Sequence, residues 1–339
     1  MGITSDKYMY FDILYSLASA DGRGEALFGD SIELEGSFVS RSLLGDNYPS
    51  YYIEFPLLGK PCFDILTVYD KVRPGSRFEE GAGYGYQEMF DWFSGLPEGH
   101  GASCALEMDT GSGETERAGV YLQQRGRRDL VAPFLESVNE SSRIGSYLRV
   151  LEDLPDGMPA SYVGLFPGRE GTPLRIGGYM DSRFVRKASD DISRLEDAFR
   201  RVGFRHYDRS MLDMCRSFLS VSPSADFQFD IYPDGSLGDV FGLSLSFNEV
   251  LPGKSAECMN NGFGKEIMTM IQDWGLSDDR WKMIAGAPMG KSITIKETDG
   301  REVHLGFAIR LNYAKIKFKA GMPVSSKFYL ILQAAELNK

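Results

Sequence analysis

Histidine and cysteine are scarce in this chain of 339 residues, which has three histidines and four cysteines. The histidines lie far apart, which argues against a histidine-based metal site. The cysteines form no Cys-x-x-Cys pair, so we expect reduced, mostly buried thiols rather than a disulfide framework. These residues are His100, His206 and His304, and Cys62, Cys104, Cys215 and Cys258.

Long apolar runs and an excess of positive charge are also missing. No apolar segment approaches transmembrane length, and the first residues lack the basic and apolar regions of a signal peptide. The formal net charge of −11 opposes general binding to nucleic acid or to an anionic membrane. The sequence therefore predicts a cytoplasmic protein without nucleic-acid or membrane partners, which must bind any anionic substrate in a local cationic pocket.

The chain does contain a repeated order of helical segments and paired strands. The period of the apolar residues predicts helices near 5–20, 83–95, 128–152, 189–203, 209–220, 261–274 and 277–285. Alternating patterns predict strands at 31–40, 50–57, 62–70, 102–109, 117–124, 292–297, 303–311, 314–319 and 326–332, and hairpins within 161–180 and 226–247.

Strands joined as local hairpins are antiparallel neighbours, and a repeated unit without a sharp linker favours one closed architecture. We therefore predict an α/β (α+β) fold over residues 1–339, a single domain in which an antiparallel ten-stranded β-barrel is enclosed by a ring of helices. The apolar strand faces would pack on the helices, and the polar faces would line a lumen wide enough for a ligand. About thirteen strands are predicted, more than such a barrel needs.

The stretch "SIELEGSFVSR" at 31–41 shows what barrel closure would change. In a strand, Glu33, Glu35, Ser37 and Arg41 lie on one side, and Ile32, Leu34 and Phe38 on the other. In an open sheet the two glutamates would face water. In a closed barrel they would point into the lumen as candidate catalytic groups.

Three short motifs stand out: "ELEGS" (33–37), "AKIKFKAGMPVSSKFYLIL" (314–332) and "TPLRIGGYM" (172–180). All three resemble motifs of the ABBA (PT-barrel) aromatic prenyltransferases, of the fungal indole and cyanobactin type. "ELEGS" (33–37) is similar to the family's first-strand motif of glutamate, a further residue and serine. "AKIKFKAGMPVSSKFYLIL" (314–332) resembles the closing hairpin, with a basic strand, a Gly-x-Pro turn and a tyrosine-bearing strand. "TPLRIGGYM" (172–180) resembles the strands whose basic residue and tyrosine shield a diphosphate.

The resemblance implies transfer of a prenyl group from a prenyl diphosphate to an aromatic small molecule or a peptide-borne nucleophile. It implies that Glu35, with Glu33 of the same strand parity, orients the acceptor and removes its proton. Arginine, lysine and tyrosine side chains would bind the diphosphate and shield the allyl cation. The candidates are Arg175, Tyr179, Arg310, Lys315, Lys317, Lys327 and Tyr329. Members of the family differ in their need for magnesium, so no cofactor is required by the resemblance and Mg²⁺ stays open.

Other interpretations of these residues remain open. Lysines that alternate on one strand face, such as Lys315 and Lys317, often protect an exposed sheet edge. One rival is a barrel without a prenyl donor that isomerises or modifies a peptide or metabolite, with Glu33, Glu35 and Asp230 as acid–base groups. Another rival is a non-catalytic binding protein.

Two tempting motifs do not fit. "AGAPMGKS" (285–292) resembles a P-loop, but Ala285 stands in place of the first glycine and a strand follows rather than a helix. The Asp-Asp pairs at 190–191 and 278–279 are not part of a DDxxD motif, which argues against the helical, magnesium-dependent prenyl synthases.

Overall fold

The computed structural model of this chain describes residues 4–30, 32, 36, 38–39, 49–77, 86–108, 118–166, 171–296 and 300–337. The side chains of residues 4–9 and of Ile295 are not described.

Eleven antiparallel strands form one sheet in the described part of the chain. Strands β1 to β8 pair in sequence order, β8 pairs with β10, β10 with β11, and β11 with β1, which closes a ring of ten strands. Strand β9 pairs with β10 outside this ring. The predicted ten-stranded antiparallel barrel is confirmed. The strands are β1 Ser50–Pro56, β2 Asp64–Tyr69, β3 Ser103–Met108, β4 Gly119–Gln123, β5 Ala160–Leu165, β6 Leu174–Met180, β7 Ala225–Ile231, β8 Leu237–Ser246, β9 Met289–Lys296, β10 Glu302–Lys319 and β11 Met322–Glu336.

Helices surround the barrel and supply the other half of the hydrophobic core. Outward-facing strand residues such as Ile53 and Phe229 belong to one buried cluster with helical residues such as Leu14, Phe134 and Phe199. The predicted enclosure by helices is therefore also confirmed. The helices are α1 Thr4–Ala18, α2 Gln87–Ser94, α3 Val131–Ser137, α4 Ile144–Asp153, α5 Ser182–Asp190, α6 Ser193–Val202, α7 Arg209–Leu219, α8 Ser255–Asn261 and α9 Phe263–Asp273.

Short helical turns complete the connections, at Gly24–Phe28, Arg128–Leu130, Ser141–Arg143, Pro252–Lys254 and Asp279–Gly286. Within the described residues, no helix is both long and apolar enough to cross a membrane.

The two-residue period of the strands separates core from lumen. In β1, Tyr51, Ile53 and Phe55 are almost completely buried against the helices, whereas Tyr52 and Glu54 line the lumen. A strand with one face in an apolar layer and the other in a polar cavity requires this alternation, because successive side chains point to opposite faces.

Two strand predictions were wrong. The four described residues of 31–40, namely Ile32, Gly36, Phe38 and Val39, are helical rather than extended. Ile32 and Val39 are seven residues apart, the spacing of two helical turns, and burial of Phe38 and Val39 in the core favours the helix over the alternation. The predicted strands 303–311 and 314–319 are one strand, β10, with a register shift between Leu311 and Ala314. These two corrections bring the prediction to the eleven strands observed.

Candidate active site

The ten strands enclose a cavity of about 580 Å³. Its wall combines basic, acidic and aromatic side chains from nearly every strand of the ring. A cavity of this size holds a small organic ligand rather than a macromolecule.

Four cationic side chains on three strands point into this lumen. Arg175 comes from β6, Lys315 and Lys317 from β10, and Lys327 from β11. Lys315 pairs in register with Lys327, so the two ammonium groups approach the same part of the cavity. Lys315 and Lys317 therefore do not protect an exposed sheet edge. Strand β10 is one of the ten strands of the ring and pairs with a neighbouring strand on each side.

Of the seven residues predicted to bind a diphosphate, five line the cavity: Arg175, Lys315, Lys317, Lys327 and Tyr329. Tyr179 and Arg310 are not brought into its wall. Tyr179 is 50% exposed near the end of β6, and Arg310 donates to the carbonyl oxygen of Asn248 at 3.0 Å.

Arg175 is held by a buried carboxylate. Its Nε donates to Oδ1 of Asp230 at 2.9 Å, and its guanidinium lies 4.3 Å from the ring centre of Phe166. Burial alone would lower the pKa of Arg175. The negative charge of Asp230 outweighs this effect, so the pKa of Arg175 lies well above the usual arginine value. Arg175 is therefore a permanent cation in a fixed orientation.

Lys327 bridges two carboxylates across neighbouring strands. Its Nζ lies 2.5 Å from Oε1 of Glu54 and 2.8 Å from Oδ2 of Asp64. Burial would raise the pKa of Glu54, but the charges of Lys327 and Lys315 and hydrogen bonds from Lys327 and Tyr329 hold it at about 2. Glu54 is thus a carboxylate engaged by its neighbours at any physiological pH.

Lys315 contacts neutral groups instead. Its Nζ donates to Oε1 of Gln228 at 2.9 Å and lies 3.3 Å from the hydroxyl of Tyr329. Burial lowers the pKa of Lys315 to about 8, although the charge of Glu54 acts in the opposite direction. An incoming anion would therefore form a stronger ion pair with Lys315 than with a lysine that already contacts a carboxylate.

Tyrosine rings form part of the wall opposite β10, with Phe166 packed against one of them. The ring of Tyr121 lies edge-on to those of Tyr162 and Phe166, at centroid distances of 5.7 and 5.3 Å. The Tyr121 hydroxyl donates to Oε2 of Glu107, which also faces the lumen. Aromatic faces of this kind stabilise a cation in a site from which water is excluded.

One further carboxylate, Asp226, lies toward the end of the lumen that contains Tyr52 and Tyr313. Burial raises the pKa of Asp226 to about 6, and the nearby Tyr313 hydroxyl offsets part of the rise.

The whole barrel superimposes on solved structures of prenyltransferases. The crystal structure of 5-dimethylallyltryptophan synthase from Streptomyces coelicolor matches with a TM-score of 0.52 over 97% of this chain and 97% of that chain, at 15% sequence identity. The PriB binary complex with product diphosphate matches with a TM-score of 0.51 over 98% of this chain and 96% of that chain, at 12% identity. This chain has the PT-barrel fold. No family model matches the sequence, and no curated protein matches it.

The first strand of this PT barrel is β1, at 50–56, and not the predicted stretch at 31–40. Glu33 and Glu35 lie outside the described residues. Their role as catalytic groups stays a prediction. The carboxylate that β1 does place in the lumen is Glu54.

Sequence reasoning missed most of the acidic half of the site. Glu54, Asp64, Glu107 and Asp226 all line the lumen of the PT barrel, and only Asp230 was considered, as a rival acid–base group. The alternation in "SYYIEFP" (50–56) contained the signal for Glu54, because Glu54 is flanked by the outward-facing Ile53 and Phe55.

Within the described residues, no group of three or more histidine, cysteine, aspartate or glutamate side chains is arranged to hold a metal ion. The four cysteines, all within the described residues, form no disulfide, and Cys104, Cys215 and Cys258 are buried.

Proposed function

We propose that this PT barrel transfers an allylic group from a prenyl diphosphate to an aromatic acceptor, either a small molecule or a peptide side chain. The observation that carries the proposal is the convergence of Arg175, Lys315, Lys317 and Lys327 in one aromatic-walled cavity. Solved structures of this fold support it. One is 5-dimethylallyl tryptophan synthase in complex with DMASPP and Trp, and another is PriB with product diphosphate.

In the proposed reaction, the bond between the allylic carbon and the diphosphate oxygen breaks, and its electron pair leaves with the oxygen. The four cations and the Tyr329 hydroxyl would bind the diphosphate and offset the charge that develops on it. A π-electron pair of the acceptor then forms the new carbon–carbon bond to the allyl cation. Loss of a proton from the attacked ring carbon restores aromaticity.

The wall formed by Tyr121 and Tyr162 would shield the allyl cation from water. The ring faces offer electron density without a reactive nucleophile, which favours transfer to the acceptor over hydrolysis.

We assign the proton-accepting role to Glu107. Glu54 is the less suitable base, because a pKa of about 2 means little affinity for a proton and its oxygens are engaged by Lys327 and Tyr329. Glu107 accepts a hydrogen bond from Tyr121, so its carboxylate lies beside the aromatic wall where the acceptor would be attacked.

Titration calorimetry with inorganic pyrophosphate and with an allylic diphosphate tests the donor site. We expect saturable binding that Lys317→Gln weakens about tenfold, as the loss of a charge-assisted contact predicts. Lys319→Gln is the matched control, since Lys319 lies on the same strand but is exposed beyond the cavity. No binding of either ligand at millimolar concentration would overturn the proposal.

One observation favours a second candidate, a donor-free modifying enzyme or a binding protein. Five carboxylates share the lumen with the cations: Glu54, Asp64, Glu107, Asp226 and Asp230. A lumen so balanced in charge also suits a zwitterionic ligand. Saturable binding of pyrophosphate supports prenyl transfer, whereas no binding favours this second candidate.

We also propose that residues 1–339 act as a single domain in the cytoplasm. The free, buried cysteines support a reducing compartment, because oxidising compartments favour disulfides.

A further inference from the structure

A second cleft lies outside the barrel, between helices α5 and α6 and the loop at residues 155–157. Its volume is about 410 Å³. The buried side chains of Phe184 on α5 and Ala198 on α6 form the apolar part of its lining. The cleft shares no lining residue with the lumen, so it is a separate place for a ligand.

The loop on one side of the cleft is fixed to the start of α5. The backbone N–H of Asp181 donates to the carbonyl oxygen of Gly157 at 2.8 Å, and Oδ1 of Asp181 accepts from the backbone N–H of Phe184 at 2.7 Å. Gly157 has a φ of +91°, and a Cβ atom there would lie 2.9 Å from Cβ of Phe184. Because glycine lets the loop pack directly on α5, the cleft is formed before any ligand binds.

Four cationic side chains line the cleft: Arg183 and Lys187 on α5, and Arg194 and Arg201 on α6. All four are exposed, and none forms an ion pair or a side-chain hydrogen bond with another described residue. Arg183 and Lys187 are one helical turn apart, a spacing at which like charges repel each other. An anion in the cleft would relieve that repulsion.

The acidic side chains of the cleft are Asp156, Asp181 and Asp197. Two of them are already engaged. Oδ1 of Asp197 lies 3.1 Å from Nη1 of Arg200, which is outside the cleft, and Asp181 caps the first turn of α5. Since the carboxylate of Asp181 occupies that helix end, the arginine and lysine side chains are the groups left to bind an anion.

The cleft lies in a basic segment of an acidic chain. Residues 183–209 contain eight lysines and arginines and five acidic residues, whereas the whole chain has a formal net charge of −11. A long polyanion would meet the negative charge of the remaining surface as well. A small anion confined to the cleft would interact mainly with this basic segment.

We propose that the cleft binds a small molecule with two or more phosphate groups. Three of its four cations are arginines, whose planar guanidinium groups form paired hydrogen bonds with phosphate oxygens. A volume of about 410 Å³ is in the range of small-molecule sites. The inference does not depend on prenyl transfer, because it concerns residues outside the lumen.

Titration calorimetry of the full chain with inorganic tripolyphosphate tests the proposal. We expect saturable binding that Arg194→Gln/Arg201→Gln weakens about tenfold or more, since two charge-assisted contacts are lost. Arg186→Gln/Arg205→Gln is the matched control. It removes two charges from exposed arginines of the same basic segment that do not line the cleft, so it should leave the affinity unchanged. All four arginines are exposed, so both variants should fold.

Lys317→Gln separates this site from the lumen. It weakens binding of phosphates in the lumen and should not change binding in the cleft. Tripolyphosphate binding that responds to Arg194→Gln/Arg201→Gln but not to Lys317→Gln supports the cleft even where prenyl transfer fails. Binding that responds to Lys317→Gln alone overturns the cleft and leaves prenyl transfer standing.

ADP and pyrophosphate distinguish the two sources of such a ligand. Tighter binding of ADP in the cleft would support an organic diphosphate, and equal or tighter binding of pyrophosphate would support an inorganic one. An equal loss of affinity in Arg186→Gln/Arg205→Gln would overturn the proposal, because general charge would then explain the binding. Displacement of tripolyphosphate by a lower concentration of a poly-glutamate peptide would also overturn it and assign the cleft to an acidic polypeptide.

Discussion

Arg175 and Asp230 are register partners on β6 and β7, and their side chains form an ion pair with 2.9 Å between Nε and Oδ1. Both are almost completely buried. The pair therefore has two effects. It aims a guanidinium at the lumen, and it prevents an uncompensated aspartate inside the barrel. Any anionic ligand of Arg175 must be bound alongside Asp230 or in competition with it.

Truncation of Arg175 should therefore affect stability as well as binding. Arg175→Ala leaves Asp230 buried without its partner, which costs about 3–5 kcal/mol of unfolding free energy. Urea denaturation measures this loss. The double variant Arg175→Gln/Asp230→Asn removes both charges, so it should recover much of the stability and still bind pyrophosphate about tenfold or more weakly than the unmodified protein.

Asp230→Asn alone provides the complementary test. It frees Arg175 from its competitor, so pyrophosphate affinity should rise. If the double variant binds pyrophosphate with unchanged affinity, Arg175 is not part of the donor site.

Lys315 should make donor binding depend on pH. Its pKa of about 8 lies below the usual lysine value, so its ammonium group is charged below pH 8 and is lost as the pH rises through that value. Pyrophosphate affinity should fall above pH 8, by up to about tenfold per pH unit for one linked proton. Titration calorimetry between pH 6.5 and about 9.5 measures this.

Lys315→Arg keeps its charge over this range, so its affinity should show only the ionisation of pyrophosphate itself. Lys319→Arg, with the same change at an exposed position of β10, should behave like the unmodified protein. An unmodified protein whose pH profile matches that of Lys315→Arg would contradict the prediction.

Glu107→Gln should slow product formation about a hundred- to ten-thousand-fold, because a positioned general base contributes that range. The glutamine keeps the size of the side chain and an oxygen for the Tyr121 hydroxyl. Pyrophosphate binding and slow hydrolysis of the donor in the absence of acceptor should not change, since neither involves removal of a proton from the acceptor ring. Single-turnover kinetics with an acceptor that the unmodified protein uses would separate these steps.

Glu98→Gln, at an exposed carboxylate paired with Lys71, is the control and should retain full activity. Glu54→Gln should instead weaken the placement of Lys327 and so reduce donor affinity. Normal turnover in Glu107→Gln would assign the proton to another group.

The sequence was informative where one period was unambiguous. The hairpins within 161–180 and 226–247 and the strands of β10 and β11 were found from alternation. The family resemblance together with strand parity then pointed to Arg175, Lys315, Lys317, Lys327 and Tyr329. The stretch at 31–40 failed because its apolar residues satisfy a helical spacing as well as an alternating one. Packing of Phe38 and Val39 in the core decided between the two.

The sequence by itself determined which side of each strand is polar, since successive side chains must point to opposite faces. Only the tertiary structure decided which polar faces meet. Pairing of β6 with β7 brings Asp230 to Arg175. Closure of the ring between β1 and β11 brings Glu54 and Asp64 to Lys327, although Asp64 and Lys327 are 263 positions apart in the chain. The lowered pKa of Lys315 follows from burial and from such distances, because charge interactions in a cavity depend on separation and burial rather than on order along the chain.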